Sequence, residues 1–152
     1  TYQAIAPYRP ELGFPREHHS RMQESGHFIR MQEVAGPPNS HTRLTLLEHN
    51  THWARYQLEP ISGKRHQLRV HMAALGIGIL GDGLYPEVND APEGDFSRPL
   101  RLLAQAIAFT DPLTQQQRHF HSQYTLGALP PGPEPEPAPS GQQTRQGLPA
   151  NA

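Results

Sequence analysis

The stretch SGKRHQLRVH, residues 62–71, gathers three cations, Lys64, Arg65 and Arg69, in ten residues with no acid among them. Ser62 is placed to cap a helix, and Gly63 permits a tight turn before it. The spacing predicts a helix over 64–75 that stops at Gly76. Leu68, Met72 and Leu75 recur at helical spacing and would face the core, with Val70 and Ala73 beside them. Arg65 and Arg69 are four apart and would share a face. The start of the helix adds partial positive charge and free N–H groups. Such an arrangement is a compact anion site, and phosphate or carboxylate is its natural guest. The same pattern also fits a solvated basic helix face.

The other reactive side chains point to less. His66 and His71 are five apart, so they lie on different helix faces and do not share a metal. His119 and His121 would share a strand face, but no third ligand stands out and the chain has no Cys, so no metal site is predicted. His18 and His19 read as a pair in a loop. Asp82, after Gly81, would brace a turn by accepting backbone N–H bonds. Trp53 reads as packing rather than as a stacking platform.

These residues need a frame. The chain has 152 residues, room for one domain, with 13 basic and 14 acidic residues and a formal net charge of −1. Bulk polycation binding is therefore excluded, and any anion recognition is local. No long apolar run is present, so no membrane span is predicted. A start at Thr1 rather than Met suggests a fragment or a processed chain. Strands are predicted at 1–6, 27–34, 42–49 and 52–59, the last two joined by a tight turn at Asn50-Thr51. Residues 7–26 and 83–99 read as long loops. Residues 100–112 are ambiguous between helix and strand, with AIAFTDP favouring a strand, and 118–124 read as a last strand. From Leu129 onward the composition turns Pro-rich with little to bury, so 1–128 is expected to fold and 129–152 to be a disordered tail.

The wider stretch PISGKRHQLRVHMAALGIGILGDGLYP resembles a signature of the RluA-type RNA pseudouridine synthases, through Gly63, His66, Gln67, Leu68, Arg69, His71, Gly76, Gly81, Asp82 and Tyr85. TYQAIAP resembles the family strand whose Tyr enters the active site, and LRLLAQAIAFTDPLTQQ its closing strand segment. The resemblance implies an α+β fold: a mixed, largely antiparallel twisted sheet with flanking helices, here incomplete at the N-terminus. It also implies the reaction, isomerisation of uridine to pseudouridine in rRNA or tRNA, on a base flipped from its stack, with no cofactor and no metal. Tyr2 matches the Tyr that packs on the base, and Arg69 matches the Arg that pairs with a catalytic Asp. Leu68 would line the base pocket, and Lys64, Arg65, His66 and Gln67 would bind substrate. The family's His-Arg-Leu-Asp segment does not occur in these 152 residues. Asp82 aligns with a different family Asp, and Asp90, Asp95 and Asp111 lack the right context. The chain by itself is therefore expected to be an inactive part of a pseudouridine synthase, monomeric and cytoplasmic. A shortened RNA-binding protein that cannot isomerise, and a metal- or protein-binding module that only looks similar, are the alternatives.

Overall fold

The computed structural model describes residues 1–133 apart from Phe28, Asp90, Ala91 and Glu93. The expected disordered tail lies outside the described residues from Glu134 onward.

A six-stranded sheet runs in the order β3-β2-β4-β5-β1-β6, and β7-β8 forms a separate two-stranded ribbon. The strands are β1 (Tyr2–Pro7), β2 (Arg16–Glu24), β3 (Met31–Val34), β4 (Ser40–His49), β5 (Trp53–Pro60), β6 (Leu102–Ala104), β7 (Ala106–Thr110) and β8 (Gln117–His121). Every described ladder is antiparallel, so the mixed sheet expected from the sequence is corrected to an antiparallel one. Among the described residues one α-helix, α1 (Gln67–Ala74), packs on it, with a short 3-10 turn at Pro10–Leu12. The coarse class, α+β, stands. No described helix is long and apolar enough to cross a membrane.

The β4–β5 hairpin turns where the sequence places it. Asn50 Oδ1 accepts the N–H groups of His52 and Trp53 at 2.9 and 2.8 Å, an Asx turn that closes the strands. Alternation along β1 and β5 then builds two apolar layers. Ala4, Ala6, Ala54, Tyr56 and Leu58 meet Leu68 and Met72 of α1. Ile5 and Trp53, on the opposite face, meet Leu126 and Leu129.

Three sequence expectations need correction. Residues 16–24 are not loop but a nine-residue strand, β2, so His18 and His19 lie on a strand. Its inward positions are Arg16, His18, Ser20 and Met22, too polar to show as an apolar alternation, although burial alternates along them. The strand predicted over 27–34 begins only at Met31. Residues 100–112 resolve as two short strands broken at Gln105, whose N–H is given to Thr1 instead of to a ladder. The 3.6-residue reading fails there because β6 pairs with β1, Tyr2 opposite Ala104.

Candidate functional site

Helix α1 starts later than its residue types suggest, and by another device. His66 holds φ 55° and ψ 17°, the left-handed region, and no side chain caps the helix. Ser62 is therefore not the cap. Its hydroxyl accepts the His41 N–H at 2.9 Å and donates to Gln67 Oε1 at 2.7 Å. Gln67 Oε1 also accepts the Lys64 N–H at 3.1 Å. Gln67 Nε2 donates to the His41 carbonyl and to Thr42 Oγ1, both at 2.9 Å. Gln67 is only 3% exposed, and its amide ties the helix start to β4. Its role is structural, because both ends of the amide are already used inside the fold. At the far end Gly76, at φ 74°, closes the helix: its N–H reaches Ala73 O and that of Ile77 reaches Met72 O, each at 3.0 Å.

The late start changes the basic face. Arg65 precedes the helix, is exposed, and lies 3.6 Å from Glu24. Lys64 is exposed. Arg69, one turn in, points the other way, so the expected stack of Arg65 on Arg69 does not form. Arg69 Nε and Nη2 donate to Asp82 Oδ2 and Oδ1 at 2.9 and 2.6 Å. That fork raises the guanidinium's pKa, and burial opposes it only in part. Asp82 Oδ1 also accepts the N–H groups of Leu84 and Tyr85 at 2.9 and 3.1 Å, the turn brace expected of it. Its side chain is 1% exposed. Beyond the two that Asp82 accepts, the guanidinium has three further N–H groups, two on Nη1 and one on Nη2.

Tyr85, named above only as part of the motif, is a junction of the site. Its hydroxyl accepts the Met31 N–H at 2.8 Å and lies 2.9 Å from His66 Nδ1. Burial, with Arg69 and Arg65 behind it, keeps His66 below the usual histidine range and so favours its neutral ring, which shares one hydrogen bond with the Tyr85 hydroxyl. Two guanidinium groups lie over the Tyr85 ring, Arg30 at 5.1 Å and Arg69 at 5.4 Å. Arg30 was not legible as a site residue, because only the fold brings β3 against α1.

Tyr2 and Leu68 come together. Tyr2 sits on β1 between Leu58 of β5 and Ala104 of β6, half-buried against the apolar layer that contains Leu68. The turn that delivers Asp82 is tied to the same strand. Leu80 N–H donates to Ile5 O at 2.9 Å, Arg101 N–H to Leu80 O at 2.9 Å, and Ile5 N–H to Arg101 O at 3.0 Å. Thus β1 positions both Tyr2 and the acid that clamps Arg69. The fold packs Tyr2 and Leu68 into one apolar cluster and joins His66, Arg69, Asp82 and Tyr85 to one another. It leaves Lys64 and Arg65 at the solvent edge and turns Gln67 inward.

No family model matches the chain. Over 67 residues it is 45% identical to dual-specificity RNA pseudouridine synthase RluA of Yersinia pestis, covering 43% of this chain and 31% of that protein. The Escherichia coli (strain K12) protein of the same name is 48% identical over 60 residues, 39% of this chain and 26% of its own. Human RNA pseudouridylate synthase domain-containing protein 1 is 38% identical over 80 residues, 50% of this chain and 24% of its own. Solved structures of two human proteins share the fold. RNA Pseudouridylate Synthase Domain Containing 1 superposes with a TM-score of 0.63 at 24% identity, over 80% of this chain and 52% of that one. Domain Containing 4 gives 0.59 at 21%, over 82% and 57%. The matches thus span about a third or less of the curated relatives and about half of the solved chains. The matched motif is thus similar to that of RluA-type RNA pseudouridine synthases, and the fold is that of the two pseudouridylate synthase domain structures.

Proposed function

We propose that these residues form the C-terminal part of the catalytic domain of an RNA pseudouridine synthase acting on uridine in rRNA or tRNA. The observation that carries this reading is the pairing on one helix turn of Leu68, packed in the Tyr2 layer, with Arg69, which gives Nε and one Nη2 hydrogen to Asp82. In the reaction the N1–C1′ bond breaks, the base turns, a C5–C1′ bond forms, C5 gives up a proton and N1 gains one. Atoms and electrons balance without an oxidant or a second substrate. Tyr2 stacks on the flipped base and Leu68 lines its pocket. The remaining N–H groups of Arg69 receive the carboxylate of the family's His-Arg-Leu-Asp segment and keep it ionised and oriented. Asp82 is a positioning residue, holding the guanidinium plane. His66, Lys64 and Arg65 lie at the rim, where the two cations meet backbone phosphates, so affinity for RNA falls with salt.

Tritium release from 5-labelled uridine, in separate rRNA and tRNA pools, tests the reading. The 152-residue chain is expected to release none. The same residues joined to the Asp-bearing segment of a relative are expected to turn over. In that longer protein Arg69→Ala removes most turnover and Arg69→Lys recovers little of it, since an ammonium lacks the planar fork. Arg69→Ala also leaves Asp82 buried without its partner, so Tyr2→Ala, expected to be far more damaging than Tyr2→Phe, supplies an arm free of that cost. Turnover by the 152 residues alone would overturn the assignment. RNA binding without turnover in the longer protein would favour the RNA-binding reading.

A further inference from the structure

The outward face of the β2–β4 ladder carries a cluster that the candidate site does not use. Alternation sets Glu17 and His19 on one side of β2. The register sets His41 directly across from His19, and Arg43 across from Glu17. Glu17 Oε2 lies 3.5 Å from His19 Nε2 and 3.4 Å from His41 Nε2. All three donor atoms fall within 4.8 Å of one another. These separations are long for hydrogen bonds. They are close to the edge, roughly 3.3 Å, of a tetrahedron with metal–ligand bonds of about 2.0–2.1 Å.

Two further observations point the same way. His41 Nε2 is shielded from solvent and has no hydrogen-bond partner among the described residues, an unusual state for an imidazole nitrogen. The other Glu17 oxygen, Oε1, accepts Arg43 Nε at 3.2 Å, which aims Oε2 at the histidine pair as outer-shell groups do in metal sites. The His19 and His41 rings stack at 3.9 Å with planes 20° apart.

The inner face of the same ladder holds a second trio, His18, Glu33 and His71. Its donors are already engaged. Thr42 Oγ1, which accepts from Gln67, is 2.8 Å from His71 Nδ1, and both Ser20 Oγ and Ser40 Oγ are 3.0 Å from His71 Nε2. Thr42 donating to Nδ1 and Nε2–H donating to a serine satisfies every one of these buried groups. That tautomer has no lone pair left for an ion.

We propose that Glu17, His19 and His41 form a binding site for a divalent transition-metal ion such as zinc. The three protein donors leave the fourth position to water, and the ion cross-links β2 to β4. Imidazole and carboxylate together suit zinc, cobalt and nickel rather than magnesium or calcium.

The 152-residue chain, stripped with a chelator, is titrated with Co²⁺, read by its visible d–d bands, and then displaced with Zn²⁺. One equivalent is expected to bind with a tetrahedral spectrum, and Zn²⁺ to raise the thermal midpoint. Glu17→Gln, His19→Ala and His41→Ala are each expected to weaken binding at least about tenfold, the loss seen when even an outer-shell partner is removed. His119→Ala/His121→Ala is expected to leave it unchanged. Glu17 and His19 are exposed, so their variants keep the test decisive should His41→Ala unfold. No saturable binding, a purely octahedral spectrum, or binding that survives Glu17→Gln and His19→Ala overturns the proposal.

Discussion

Burial pushes the His71 imidazole down to about 4 from its ordinary 6.5, with the neighbouring His18 adding to the shift and Glu33 opposing it. The side chain has no exposed surface, and its neutral form completes the hydroxyl network that joins α1 to β2 and β4. Between about pH 6.5 and 4 the unfolded chain binds a proton that the folded chain refuses. Stability from this group is therefore complete above pH 6.5, falls as acid is added through the window, and levels off below it. One such group contributes at most on the order of 3 kcal/mol across the window, about 1.4 kcal/mol per pH unit at its steepest. Urea midpoints at pH 7 and pH 5 should thus differ more in the wild-type chain than in His71→Gln, which is less stable at both. Equal differences in the two proteins would show that His71 does not titrate in this way.

At the scale of elements, two turns frame the site and depend on glycine for different reasons. Gly76 ends α1 at φ 74° in open space. Gly81, at φ 80°, precedes Asp82, and a Cβ there would lie 2.2 Å from the Pro99 carbonyl oxygen. Left-handed backbone alone costs a non-glycine residue about 1–2 kcal/mol. Gly76→Ala is expected to cost about that. Gly81→Ala must also move the Pro99 backbone, so it is expected to cost more, above roughly 3 kcal/mol by adding strain of the kind that overpacking brings. It should also loosen the Asp82 clamp on Arg69. Urea unfolding of the two variants checks the order, and equal losses would remove the argument from close approach. The helix start shows the limit of reading caps from residue types. Ser62 has the chemistry of a cap, yet Gln67 holds the first turn, because β4 offers the His41 carbonyl and Thr42 hydroxyl that only tertiary contact supplies.

Over the whole molecule, the second apolar layer is covered by a strap rather than by a helix. Leu126 and Leu129 pack on Ile5 and Trp53. Arg101 Nη1 donates to the Leu126 carbonyl at 3.0 Å, and Arg55 donates to that of Gly127. Asn50 Nδ2 donates to Pro130 O at 2.9 Å, and Trp53 Nε1 to Gly132 O. Contact therefore continues to Gly132, past the start of the Pro-rich composition. A chain ending after Pro133 is expected to keep its thermal midpoint, since the residues removed hold little to bury. One ending after Gly127 leaves the buried Trp53 N–H without a partner, at about 1–3 kcal/mol. It also uncovers the Leu129 contact, so a fall of roughly 3 °C or more is expected. Calorimetry of the two truncations decides between a strap that matters and one that merely rests there.

Local residue types were enough to find the β4–β5 turn, the stop at Gly76, the brace role of Asp82, and the motif that this chain shares with RluA-type pseudouridine synthases. Each of these depends on neighbours within a few residues, where φ preference and short-range hydrogen bonding act. Residues 16–24 were unreadable as a strand because three of its four inward positions, Arg16, His18 and Ser20, are polar, and a hydroxyl and imidazole network with β4 and α1 holds His18 and Ser20 there. The same holds for the basic face: Arg65 and Arg69 are four apart, but a helix that starts at Gln67 separates them, one toward Glu24 and one toward Asp82. Tertiary structure alone decided that Arg69 has an acid at its back, that His66 leans on Tyr85, and that Glu17, His19 and His41 share a face. Those are contacts between strands and turns far apart in the chain, and no local preference encodes them.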